Sequence, residues 1–272
     1  MKRSRIKLRI LNLLVLAIGS AAFILMSNPA QAQQKISAAV VGGFIQTFHE
    51  IAAAYEEKTG AKMEVTFSSA GRLYSQITNG APYDIYLSAD RERPDLLHSK
   101  GISEKPFIYA IGEVVLWSSN QDFCIHGDWR AALAQNGVRK IAIVNPATGV
   151  HGEKAKKALQ DAGLWDGLVS KLVYAQDMAQ AFQYASEGAV DAAFCPLALA
   201  YTDKGKKGCY YEMREAQAIV YSACVIKNAK NHEQAKQFAA FLVSPDAEKI
   251  KRKYGYQPVS GKEKFVSPGA RR

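Results

Sequence analysis

Two short runs of small residues, Ser68-Ser69-Ala70-Gly71 and Ser88-Ala89-Asp90, carry the first chemistry legible in this chain. Their side chains are too small to cover their own backbone N–H groups. The first run follows an apolar stretch closing at Phe67. It leads into Arg72 to Ile77, with Leu73 and Ile77 at helical spacing. A helix starting there points free N–H groups and the positive end of its dipole back at the turn. Such a turn can hold an anion. Asn79-Gly80-Ala81-Pro82 stops the helix, and Asp84-Ile85-Tyr86-Leu87 reads as a strand delivering the second run. A third small turn, Gly42-Gly43-Phe44, precedes both. One such turn is an ordinary strand-to-helix connection. Three after successive strands indicate a shared site.

The elements that position these turns alternate. Ile36 to Val41 is a strand, Ile45 to Lys58 a helix with Phe48, Ile51, Ala52 and Tyr55 on one face, and Met63 to Phe67 a second strand. Strands alternating with helices predict a parallel α/β sheet, with ligand beyond the carboxyl ends of its strands. Phe107 to Ala110 and Val114 to Trp117 read as extended chain crossing to a second domain. There, Ile141 to Val144 is a strand and Lys154 to Ala162 a helix. Asp177-Met178 opens another helix, and Asp191 to Cys195 is a strand stopped by Pro196. Ile219 to Ile226 returns the chain, and helices at His232 to Val243 and Pro245 to Tyr254 close it. The expected division is residues 33–113 plus 222–272 for one lobe and 114–221 for the other.

The chain has 272 residues, 48% hydrophobic, enough for one or two domains with a sizeable core. Its net charge of +10 suggests nucleic acid, but five basic residues lie in the first nine positions. They precede an apolar run from Ile10 to Met26 and the sequence Pro29-Ala30-Gln31-Ala32. That pattern predicts a signal peptide over residues 1–32, cleaved after Ala32, with an uncleaved anchor as the alternative. The remaining 30 basic and 25 acidic residues give +5. No arginine-rich stripe carries interleaved aromatics, so nucleic acid is not an expected partner. Cys124, Cys195, Cys209 and Cys224 would meet an oxidising compartment. One or two disulfides are expected, with three full connectivities open.

Several stretches, in order, resemble the molybdate-binding proteins of molybdate ABC importers. They are SSxGxL at Ser68–Leu73, NGAPYDIYLSAD at Asn79–Asp90 and IAIVNP at Ile141–Pro146. AKKALQDAGLWDGLVSKLVYAQDM at Ala155–Met178 and FLVSPDAEKIKRKYGY at Phe241–Tyr256 agree. The resemblance covers nearly the whole chain after residue 32. It implies a two-lobed α/β type II periplasmic binding fold, with a tetrahedral oxyanion in the interlobe cleft. It also implies a periplasmic location, an ABC permease as partner, a monomer and no cofactor.

Carried over residue by residue, the ligand-binding positions are Gly43, Ser69, Ala70, Gly71, Ala89, His151, Met178 and Cys195. Several differ from the family's pattern: Gly43 and Ala70 stand where serines are usual, and His151, Met178 and Cys195 where alanine, valine and tyrosine are usual. Backbone N–H groups at Gly43, Ala70 and Gly71 remain, and a protonated His151 could donate. Three ligand classes stay open: molybdate or a related oxyanion, a small organic anion, and a soft metal such as copper or zinc held by His151, Met178 and Cys195. Cys195 with His151 could suggest a nucleophile and base, but no flanking signature supports an enzyme and Pro196 directly follows the cysteine.

Overall fold

The computed structural model describes residues 35–213 and 216–259. The leader, its cleavage after Ala32 and the basic Arg271-Arg272 end lie outside the described residues. Strand β1 (Lys35–Val41) is buried along most of its length and lies inside the first sheet, not at its edge. A 3-10 turn at Gly42–Phe44 leads directly into helix α1 (Ile45–Thr59), which buries Phe48, Ile51, Ala52 and Tyr55 and ends at left-handed Gly60. Then follow β2 (Lys62–Ser68), α2 (Ala70–Thr78), β3 (Ile85–Ser88) and α3 (Glu92–Ser99). β4 (Phe107–Gly112) belongs to the first sheet, and β5 (Val114–Ser118) to the second, so Glu113 alone lies between them.

The second sheet continues through β6 (Ile141–Val144), helix α4 (Val150–Asp161), β7 (Leu172–Ala175), helix α5 (Met178–Ser186), β8 (Ala192–Pro196) and β9 (Cys209–Glu212). β10 (Ile219–Val225) then re-enters the first sheet, α6 (His232–Leu242) packs on it, and α7 (Pro245–Lys253) packs against α6 and α1. The strand orders are β2-β1-β3-β10-β4 and β7-β6-β8-β5-β9.

Both sheets are mixed rather than parallel. β1, β2 and β3 run parallel, as do β6, β7 and β8. The strands that cross between sheets pair antiparallel: β10 with β3 and β4, and β5 with β8 and β9. The expected lobe boundary at 221/222 falls inside β10, whose pairing with β4 begins at Ile219 opposite Gly112.

Of the four cysteines, Cys124 and Cys209, 85 positions apart in sequence, form a disulfide. It ties the 3-10 turn Gln121–Ile125 to the outer strand β9. Cys195 and Cys224 are free and buried, in different sheets. Closing a loop of this length restricts the unfolded chain by about 4–5 kcal/mol on the chain-entropy relation, with measured disulfides more often at about 2–4. Reduction is therefore expected to lower unfolding stability by about 2–5 kcal/mol. Urea melts with and without reductant check this. A Cys124→Ser variant should melt like the reduced protein and be insensitive to reductant.

Candidate functional site

Five strand-to-helix junctions meet at one small cavity between the lobes. From the first lobe come the Gly42-Gly43 turn before α1, Ser68-Ser69-Ala70 at the start of α2, and Ala89 after β3. From the second come Gly149 and His151 at the start of α4, and Asp177-Met178 at the start of α5. The cavity measures about 20 Å³. On the scale where a water needs about 10–15 Å³, that is room for one or two water-sized groups.

Of these five helix starts, only that of α5 is capped by the side chain of its N-cap residue; the starts of α2 and α4 lie directly on the cavity without one. Ser69 is the N-cap of α2 with extended backbone, yet its hydroxyl caps nothing. Gly149, the N-cap of α4, has no side chain to offer. The Ser69 side chain is 5% exposed, and its Oγ has no hydrogen-bond partner. A buried hydroxyl left in that state costs about 1–3 kcal/mol, so it normally finds a partner. At α5 the Asp177 carboxylate accepts from Gln180 N at 3.0 Å, so that end is capped by its own side chain.

Behind the turns, buried polar contacts fix their positions. The Tyr86 hydroxyl donates to Ala70 O at 2.8 Å and lies 3.0 Å from Ser88 Oγ. Ser88 Oγ donates to Asp90, whose other oxygen accepts from Arg93 N. Tyr86 thus links the junctions before α2 and α3. Across the cleft, Gly71 N donates to Thr148 O at 3.1 Å, and Arg72 donates to Gln176 at 2.7 Å.

Of the residues expected from the sequence, Gly43, Ser69, Ala70, Ala89, His151 and Met178 come together on the cavity. Gly71 and Cys195 are not among its lining residues. The Gly71 N–H, expected to face a ligand, is donated to Thr148 O instead. Cys195 points to the α5 face of the second sheet, packed in a cluster with Val115, Trp117 and Ala193. Burial raises its thiol well above the ordinary range, so it stays protonated. The soft ligand set of His151, Met178 and Cys195 therefore does not assemble at this cavity. No cluster of three His, Cys, Asp or Glu able to hold a metal occurs among the described residues.

His151 departs from expectation in a second way. Helix α4 begins at Val150, four residues before the predicted start, so His151 belongs to its first turn. The ring is 3% exposed, and its Nε2 shares a 2.9 Å hydrogen bond with the hydroxyl of Tyr221 on β10. Burial lowers its pKa from 6.5 to about 3, so the imidazole is neutral at ordinary pH and not the cationic donor expected. Sequence reading missed Tyr221, because no local motif marks a tyrosine on the returning strand as facing the other lobe.

The lowered pKa has a consequence for stability. Below about 6.5 the unfolded chain binds a proton at His151 that the folded chain refuses until about 3. Stability from this group is complete above 6.5 and declines as pH falls toward 3, at about 1.4 kcal/mol per pH unit. Between pH 6.5 and 5, His151 is expected to account for a loss of about 2 kcal/mol. Urea midpoints of the wild type and His151→Gln over that range check it, since the variant should lack this share of the slope.

Comparison with known proteins agrees with this architecture. Residues 36–257 match the family of bacterial extracellular solute-binding proteins. The molybdate-binding protein ModA of Azotobacter vinelandii is 32% identical over 251 residues, covering 90% of this chain and 97% of that protein. ModA of Rhodobacter capsulatus is 31% identical over 233 residues, covering 85% and 91%. The solved Azotobacter vinelandii periplasmic molybdate-binding protein superposes with a TM-score of 0.78 at 30% identity, covering 83% of this chain and 100% of that one. With its two mixed sheets and interlobe cavity, the chain belongs to the bacterial extracellular solute-binding proteins, as a relative of the molybdate-binding proteins.

Proposed function

We propose that this protein captures molybdate, or a tetrahedral oxyanion like it, and delivers it to an ABC permease. The observation that carries this reading is the buried, unpartnered Ser69 Oγ at the uncapped start of α2, on a residue that lines the small interlobe cavity. A hydroxyl beside a helix N-terminus donates to an anion while the helix dipole favours the charge. Two relatives at 31–32% identity carry the name molybdate-binding protein, and an anion of that class fits this donor set. A soft metal does not fit it, because Cys195 lies off the cavity. On this reading the protein is exported, loses residues 1–32, works as a monomer and catalyses no reaction.

A hydrogen bond to a charged group contributes about 1.5–3 kcal/mol. Ser69→Ala should therefore weaken molybdate binding about 10- to 100-fold at little cost to the fold. Calorimetric titration of both proteins with molybdate and tungstate reads this directly. A wild-type protein that takes up neither anion overturns the reading. Undiminished affinity in the variant removes Ser69 from the site.

A further inference from the structure

Gly43 has no conformational need to be glycine, because its φ lies outside the left-handed region. The constraint comes from the opposite lobe. A Cβ built on Gly43 would lie 3.3 Å from His151 Cε1, 3.5 Å from Met178 Cγ and 3.2 Å from Pro196 Cγ. A side chain at position 43 would therefore be crowded, most closely by Pro196 and next by the imidazole, either of which would have to give by a few tenths of an ångström. The imidazole is also held there. Its partner Tyr221 is fully buried, with ring centroids 6.1 Å from Phe44, 5.8 Å from Tyr109 and 5.4 Å from Tyr256. A buried ring with one hydrogen-bonded nitrogen, against a packed aromatic cluster, cannot swing aside without breaking that bond and disturbing the packing.

We infer that His151 is the size-determining wall of this site: anchored by Tyr221, it confines the cavity to a bare tetrahedral oxyanion and refuses an anionic group that carries an organic tail. The inference rests on the anion reading above and adds the residue that sets selectivity. The cavity of about 20 Å³ is the measure of that confinement. Met178 lines the same side, but as an unbranched thioether it adapts its shape, whereas the ring does not.

The test uses the full mature chain, with molybdate and phosphoglycolate as probes, each titrated separately and in competition. The wild type should bind molybdate and not release it to a large excess of phosphoglycolate. His151→Ala should gain at least about tenfold in affinity for phosphoglycolate relative to molybdate, the scale on which pocket size discriminates. Tyr221→Phe keeps the aromatic core and frees the imidazole. It should shift the same ratio in the same direction by less, and it carries the test if His151→Ala fails to fold. Unchanged ratios in the folded variants overturn the inference. So does a wild type that binds both probes equally well, although anion binding would then stand. A wild type that binds neither probe, nor tungstate, fails at the earlier step and takes this inference with it.

Discussion

The level ends of β1, β2 and β3 decide where the rest of the first lobe must lie. β1 pairs in parallel with both neighbours, Val41 opposite Ser68 and Val40 opposite Leu87. Three strands thus run out at one edge within about a residue of one another, and each delivers its turn to the same place. Because side chains alternate along a strand, a one-residue slip would reverse every inward and outward side chain of the slipped strand. The second sheet obeys the same constraint, with Val144 level with Ala175. The cavity is where two such edges face each other.

Its electrostatics follow from that construction. No lysine or arginine is among the lining residues; the formal charge there is the Asp177 carboxylate, turned to its own helix. On the function proposed above, attraction for an anion rests on backbone dipoles and hydroxyls held in place by buried contacts. Each helix end is worth about 0.3–1 kcal/mol where exposed and up to about 2 where partly buried. Several small, fixed terms replace one mobile charge. Their positions therefore matter more than their number, and the Tyr86 link between Ala70 and Ser88 carries that burden.

Much of this was legible in the sequence, for stated reasons. Small residues at the ends of apolar runs marked the three first-lobe junctions, and periodicity gave the helices behind them. Six of the eight carried-over positions lie on one cavity because the scaffold repeats between relatives. What could not be read was long-range. Nothing local tells that Gly71 N–H is spent on Thr148, or that Cys195 turns away with Val115. Nor does it show that His151, in the first turn of a helix, meets a tyrosine 70 residues onward. The disulfide was similarly open, since spacing alone does not place the Gln121–Ile125 turn beside β9.

The passage from one sheet to the other at Glu113 has a mechanical meaning. Between Gly112 and Val114 the chain has one residue outside both sheets, and the return from Glu212 to Ile219 is the second crossing. At Glu113 a single residue of chain therefore holds the two sheets together. Gln257 braces that crossing, its N–H on Ile111 O and its side chain on Glu113. The lobes are thus joined in two ways, by covalent chain at Glu113 and by hydrogen bonds such as Arg72 to Gln176 across the cleft, and only the second kind can be broken and remade.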